Sequence, residues 1–179
     1  MRYIFVSLFL ILNIIQAQES KSYEAFPVES APIIDGILSE KIWSNLVPAT
    51  NFTLMWPETR HGNKIPANYE TVAYLGYDQS SIYIGAILKH PNPEKMPKEF
   101  SQRDEIWNVN AETFFVTLNT YNDDLNFFGF QITSAGTVGD VYSSGSIDSD
   151  DFLYDTVFDA KTHISSDSWS VEMAIPYSA

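Results

Sequence analysis

The feature that most constrains this chain is a set of short segments in which apolar residues recur at every second position. In the clearest of them, residues 169–175, four apolar residues alternate with three others: Trp169, Val171, Met173 and Ile175 against Ser170, Glu172 and Ala174. A period of two indicates a β-strand, because successive side chains of a strand point to opposite faces of the sheet. We predict a strand here, with the Trp169 set facing the core and the intervening residues facing away.

Further β-type runs precede this one along the chain: 71–77, 82–89, 114–119, 128–132 and 158–164. The first two flank Asp78-Gln79-Ser80-Ser81, a composition typical of a hairpin turn. The run 82–89 is apolar on both faces, so we expect that strand to be buried on both sides. No pattern predicts a helix of three turns, which argues against alternating strands and helices. The sequence therefore predicts an all-β fold, an antiparallel β-sandwich.

One short helical turn is expected near the start of this domain. Ser39 precedes Glu40-Lys41-Ile42-Trp43 and is placed to cap it. We expect Trp43 to lie in the core, and Gly36 to relieve backbone strain in a tight turn at residues 34–37.

The first 17 residues have the pattern of a secretory signal peptide. Arg2 precedes an apolar run, and Ile15-Gln16-Ala17 offers a cleavage site with a small residue. The run is too short to span a bilayer comfortably, and an uncleaved anchor is the alternative. We expect an exported protein of the periplasm, outer membrane or cell surface, without direct membrane insertion once the signal is removed. Residues 18–27 are a linker or first strand, and residues 28–179 form the domain.

Charge and cysteine content narrow the range of partners. The net charge is −13 and the chain has no cysteine. An acidic surface repels nucleic acid and anionic lipid, whereas neutral glycans, cations and basic proteins can still be binding partners. Without disulfides an exported domain depends on its core, which 12 Phe, 10 Tyr and 4 Trp can supply.

Residue patterns of enzyme active sites are missing from the sequence. The three histidines share no metal-ligand spacing, and there is no Gly-x-Ser-x-Gly motif, cysteine nucleophile or phosphate-binding glycine loop. The 23 acidic residues leave a glycosidase carboxylate pair open, but a catalytic cleft usually needs a longer chain. We expect a domain that is not an enzyme.

Four segments, taken in order, resemble a known family. The segment 34–43 (IDGILSEKIW), the hairpin 71–84, the strand 112–119 and the strand 169–176 are similar to motifs of family 9 carbohydrate-binding modules. The resemblance covers roughly residues 28–179. It is closest to the N-terminal module of uncharacterised exported bacterial proteins that carry a C-terminal membrane β-barrel.

This resemblance implies a β-sandwich that binds carbohydrate, often holds structural calcium and does not itself catalyse a reaction. Trp107 lies near the position of the first sugar-stacking tryptophan of the family. Phe115 stands where the family has a sugar-binding glutamate, and Gln131 where it has an arginine. The second stacking tryptophan would lie beyond Ala179.

The residues themselves suggest ligand contacts at four positions. Trp107 lies in a polar segment without strand alternation, and Trp56 precedes Pro57 in a second such segment; packing within a loop is the alternative for both. Arg103 could donate a fork of hydrogen bonds to sugar hydroxyls, or form an ion pair with Asp104 or Glu105. Gln131 is the fourth candidate, through the resemblance.

A cluster of carboxylates suggests a cation site. Asp148, Asp150, Asp151 and Asp155 lie in a turn-like segment, and calcium prefers six to eight oxygen ligands. Structural calcium is the one cofactor we expect; an acidic solvated loop is the alternative.

The function predicted is carbohydrate binding by a non-catalytic module of a larger exported protein that acts in polysaccharide binding or catabolism. A glycan and a downstream domain of a longer chain are the expected partners, because the sequence stops directly after a strong strand. The alternative is a structural or interaction module of an outer-membrane-associated protein that has lost sugar binding, which Phe115 and Gln131 favour. A glycoside hydrolase fragment is a third possibility.

Overall fold

The computed structural model describes residues 21–145 and 150–179, which leaves the predicted signal peptide 1–17 and Asp148 outside the described residues. The described chain forms two β-sheets. Its elements, in order, are β1 (Phe26–Pro27), α1 (Lys41–Asn45), β2 (Thr71–Tyr77), β3 (Ser81–Lys89), β4 (Thr113–Leu118), β5 (Asn126–Thr133), β6 (Val138–Ser144), β7 (Asp150–Asp151), β8 (Asp159–Ile164) and β9 (Ser168–Pro176), with 3₁₀ turns at Glu58–Arg60, Ala67–Tyr69 and Pro93–Lys95.

The first sheet has five strands in the order β1-β2-β3-β9-β8, and the second has four in the order β4-β5-β6-β7. All pairings are antiparallel except that of β1 with β2. The predicted hairpin is confirmed: Asp78 Oδ1 accepts hydrogen bonds from the backbone N–H groups of Ser80 and Ser81, at 2.7 and 3.0 Å. The all-β sandwich predicted from the alternation is therefore present.

The main core lies between the two sheets. Strand β9 supplies the four alternating residues from Trp169 to Ile175, all of them buried. From the opposite sheet, Phe130 meets Phe158 edge-to-face, with ring centroids 5.2 Å apart. The even-numbered residues of β4 and β5 also face this core, so their odd-numbered residues face outward.

A second, smaller core covers the outer face of the five-stranded sheet. Trp43 of α1 packs there with Leu46 and Tyr83, and Trp43 is only 2% exposed. Strand β3 therefore contributes Ile84 to the main core and Tyr83 to this one, which confirms the prediction of a strand buried on both sides.

One local expectation needs correction, and two others become more precise. Ser39 does not cap the helix: α1 begins at Lys41, and Glu40 occupies the cap position without a side-chain cap bond. The first strand is only β1, two residues long. Glu172 faces away from the main core as predicted but is fully buried, because the small core covers that face of the sheet.

Helical structure is sparse in the described part of the chain. The one α-helix there has five residues. Within residues 21–145 and 150–179, no helix has the length and apolar character needed to cross a bilayer.

Candidate functional site

The outward face of the four-stranded sheet carries an open groove. Antiparallel register places its side chains in rows that run across the strands. Three rows matter for the groove: Phe115–Gln131–Gly139, Thr117–Gly129–Val141, and Phe127–Ser143–Asp150. The middle row forms the floor, and the outer rows form its sides. The groove has a volume of about 350 Å³, at the lower end of the range for small-molecule sites.

Gly129 deepens the groove, because it has no side chain to fill the floor. A Cβ at Gly129 would lie 2.7 Å from the ring of Phe115 and 2.7 Å from Cγ1 of Val141. Both side chains therefore close over the glycine from opposite sides. The bottom of the groove is accordingly made of carbon.

Trp107 stands above this face on a loop that is held at several points. The backbone N–H of Asp104 donates to the carbonyl of Val138 at 3.2 Å, and Asp104 Oδ1 accepts from the N–H of Asp140 at 3.1 Å. Ile106 is buried over Gly139, where a Cβ would meet its Cδ1 at 2.9 Å. The indole of Trp107 stays 60% exposed. The fold thus fixes the loop and leaves the ring open to solvent.

Two further aromatic rings surround Trp107. It meets Phe115 and Phe152 edge-to-face, each with ring centroids 6.2 Å apart. Phe115 and Phe152 are themselves exposed. Sequence reasoning missed Phe152, since it follows the acidic segment and belongs to no alternating run. Three exposed aromatic rings at one place form a surface on which the apolar face of a sugar ring can pack.

Gln131 lies beside the groove but is covered. It pairs with Phe115 across β4 and β5 and is 1% exposed. Neither its Nε2 nor its Oε1 hydrogen-bonds to any described residue. The structure therefore brings Gln131 to the same face as Trp107, one row away from the floor, with its amide beneath the loop.

Arg103 is held by carboxylates on the core side of the sheet. Its Nη2 donates to Asp140 Oδ1 at 2.5 Å and to the carbonyl of Thr156 at 2.7 Å. Its Nε lies 3.2 Å from Asp155 and 3.6 Å from Asp104, and its guanidinium lies over the Phe158 ring. The ion pair with Asp104 is thus the longest of three. Burial raises the pKa of Asp140, although the Thr156 N–H and the charge of Arg103 act in the opposite direction.

Trp56 lies apart from these residues in the groove. Its loop is bridged between Thr53 and Lys64, and the ring is largely exposed next to a cis peptide bond to Pro57. Trp56 is not among the residues that line the groove. The structure therefore does not bring the two candidate tryptophans to one groove.

The described carboxylates of the acidic segment after β6 do not gather around one common position. Asp150 Oδ1 accepts from the hydroxyl of Ser143 at 2.7 Å, Asp151 Oδ1 accepts from the N–H of Leu153 at 2.9 Å, and Asp155 pairs with Arg103. These three carboxylates form no metal-binding group in the described chain. The calcium expectation also includes Asp148, outside the described residues, and stays a prediction.

A different acidic group lies on the far side of the molecule. Carboxylate oxygens of Asp35, Glu40 and Glu172 lie within 4.8 Å of one another. The Glu172 carboxylate accepts hydrogen bonds from Trp43 Nε1 at 2.7 Å, from the Gly36 N–H at 2.8 Å and from the Asp35 N–H at 3.0 Å. Burial raises the pKa of Glu172, and the charge of Glu40 adds to that rise. These bonds tie residues 35–43 to β9. The sequence held a signal for this buried carboxylate, because Glu172 is the one charged residue in the otherwise apolar or small run 169–175.

Comparison with known proteins identifies the fold. No family model and no curated protein sequence matches the chain. Among solved structures, a family 9 carbohydrate-binding module from Caldicellulosiruptor kristjanssonii in complex with cellotriose is 17% identical, with a TM-score of 0.56 over 87% of this chain and 68% of that one. The glucose complex gives 14% identity and a TM-score of 0.55, over 86% and 69%. A Bacteroides uniformis protein named as a candidate carbohydrate-binding protein gives 13% identity and 0.58, over 86% and 72%. The chain has the β-sandwich fold of these modules.

Proposed function

We propose that the protein binds carbohydrate through the groove beneath Trp107 and does not itself catalyse a reaction. The observation that carries the proposal is the exposed Trp107 ring, held above an open sheet face next to Phe115 and Phe152. The C–H face of a sugar is apolar enough to pack on such rings, while its hydroxyls need directed polar partners. Solved neighbours of the same fold in complex with glucose and cellotriose support this choice of ligand class.

The polar partners in this proposal differ from those expected from sequence. Arg103 is engaged with Asp140 and Thr156 on the core side. The polar side chains that line the groove are instead Asp150 and Ser143 at one margin and Thr117, on the edge strand β4, at the other. Gln131 is buried and is not among the residues that line the groove.

The setting of the module is part of the same proposal. We infer an exported protein in which this domain delivers a downstream part of the chain to polysaccharide. The signal-like segment 1–17 supports export. Sequencing of the gene beyond the codon for Ala179 and secretion of a tagged full-length chain test this setting.

Affinity electrophoresis tests the binding proposal. Gels that contain soluble glucan or xylan should retard the protein, and Trp107→Ala should abolish the retardation. The matched control is Phe100→Ala, which removes an aromatic ring that is 75% exposed but outside the groove. Its retardation should equal that of the unaltered protein.

The alternative, a structural or interaction module without sugar binding, predicts a different result. No glycan of a broad panel would then retard the protein, and the domain would instead co-purify with its downstream partner and be unstable alone. The buried Gln131 amide and the engaged Arg103 are the observations in its favour. Absence of retardation across the panel would refute our proposal and leave this alternative.

A further inference from the structure

The floor of the groove presents carbon where most sugars would present hydroxyl groups. Gly129 and Val141 form its centre, and the rings of Phe115 and Phe127 stand at its sides. Polar side chains lie only at the two margins: Thr117 on the edge strand β4, and the Ser143–Asp150 pair at β6 and β7. The groove is therefore amphipathic across its width.

Backbone groups do not supply the missing polarity. Strand β5 lies between β4 and β6 and pairs with both, so Gly129 is in register with Thr117 on one side and Val141 on the other. In an antiparallel sheet these pairings use the strand's N–H and C=O groups in the ladders. A sugar hydroxyl directed at the floor would lose its hydrogen bonds to water without a replacement, whereas a methyl group would gain from leaving water.

Resting on the proposed function, we infer that this groove selects a sugar that carries a neutral acyl substituent, with O-acetyl as the smallest case. The acetyl group would lie on top of the floor, against the Phe115 ring and Val141, with the sugar ring against Trp107. Ring hydroxyls would then reach the groove margin, where Asp150 can accept hydrogen bonds.

The charges around the groove exclude an anionic substituent. None of the described residues that line it is a lysine, arginine or histidine, and Asp150 brings a negative charge. Arg103, the cation nearest in sequence to Trp107, is bonded to Asp140. A uronate or a dicarboxylic acyl group would meet this carboxylate without a counter-charge and would be repelled.

Calorimetric titration of the full chain tests the inference. The probes are O-acetylated xylo- and cello-oligosaccharides, each used before and after alkaline removal of its acetyl esters, so that only the acyl groups differ. We expect about tenfold tighter binding before de-esterification, because a buried methyl group and an avoided hydroxyl desolvation together are worth roughly that factor.

Two variants on the four-stranded sheet locate the effect. Val141→Thr keeps nearly the same volume but places a hydroxyl on the floor, and should reduce the preference for acetylated probes severalfold. The matched control is Thr113→Val, at an exposed position of β4 that does not line the groove, and it should leave the preference intact.

The outcomes separate this inference from the proposed function. Equal affinity for acetylated and de-esterified probes would overturn the acyl preference while sugar binding stands. Binding of neither form of either oligosaccharide would overturn the acyl preference, and the glycan panel would then decide sugar binding independently. A preference that Val141→Thr leaves unchanged would place the acyl group elsewhere and would also refute the assignment.

Discussion

The ring of Phe115 lies over Gly129, with ring atoms 2.7 Å from the point where a Cβ would be. The contact joins neighbouring strands along a diagonal, since Phe115 itself pairs with Gln131. It keeps the Phe115 ring low over the sheet and leaves the space beneath Trp107 open. The depth of the groove therefore depends on the missing side chain of one glycine.

Gly129→Ala should consequently impair both ligand binding and stability. The added methyl would push Phe115 or Val141 into the groove, and overpacking of this kind costs about 1–3 kcal/mol in the free energy of unfolding. We expect at least a tenfold loss of affinity in the calorimetric assay. Phe115→Leu in the same chain relieves the crowding and should restore stability. Unchanged affinity of Gly129→Ala would mean that the ligand does not occupy this floor.

Arg103 should prove to be a stabilising residue. Asp140 is fully buried and depends on Arg103 Nη2 and on the Thr156 N–H for its hydrogen bonds. Removing one partner of a buried ion pair is strongly destabilising, and since the Arg103 side chain is 36% exposed we expect Arg103→Met to cost about 2–3 kcal/mol. Urea unfolding followed by tryptophan fluorescence measures this loss.

The double variant Arg103→Met with Asp140→Asn serves as the control for that experiment. It should regain part of the lost stability, because no unpaired charge stays buried. If Arg103→Met instead keeps full stability but loses glycan binding, Arg103 contacts the ligand, as the sequence analysis had suggested.

Glu172 should give the protein a stability that falls as the pH rises. Burial raises its pKa in the folded chain above the ordinary value of 4.5. Between 4.5 and the raised pKa the folded state keeps a proton that the unfolded state has lost. The contribution to stability is therefore complete below pH 4.5 and declines as the pH increases through this window, by at most about 1.4 kcal/mol per pH unit.

Comparison with Glu172→Gln isolates this contribution. The variant cannot titrate at this position, so the difference between the two free energies of unfolding should change with pH above 4.5. Asp140, whose pKa is also raised, is present in both proteins and cancels. Parallel curves between pH 4 and pH 8 would show that the Glu172 carboxyl does not titrate in this way. The variant is expected to be less stable, because the amide nitrogen cannot accept at one of the two oxygen positions, so that either the bond from Trp43 or those from Asp35 and Gly36 are lost.

The sequence predicted the sheets because alternation is a local property. Residues 169–175 reveal which side of β9 faces the main core without knowledge of any partner strand, and the turn residues at Asp78 likewise reveal the hairpin. Trp43, expected in the core, is also buried.

The partners of polar residues could not be predicted in this way. Glu172 and Glu40 are far apart in the sequence but share one cluster. Arg103 pairs with its neighbour Asp104, as the sequence allowed, but its shorter contacts are with the distant Asp140 and Thr156. Phe152 meets Trp107 only because β7 lies next to β6 in the sheet. Such contacts depend on strand order, which a single sequence does not specify.

The two faces of β5 have separate consequences for how this protein can diverge. Phe128, Phe130 and Ile132 face the main core, while Phe127, Gly129 and Gln131 face the groove. A change at Phe127 or Gly129 alters what the groove can accept without touching the core between the sheets, whereas a change at an even position alters that core. Homologues can therefore acquire new ligand preferences by substitution at alternate residues of one strand, without loss of the shared architecture.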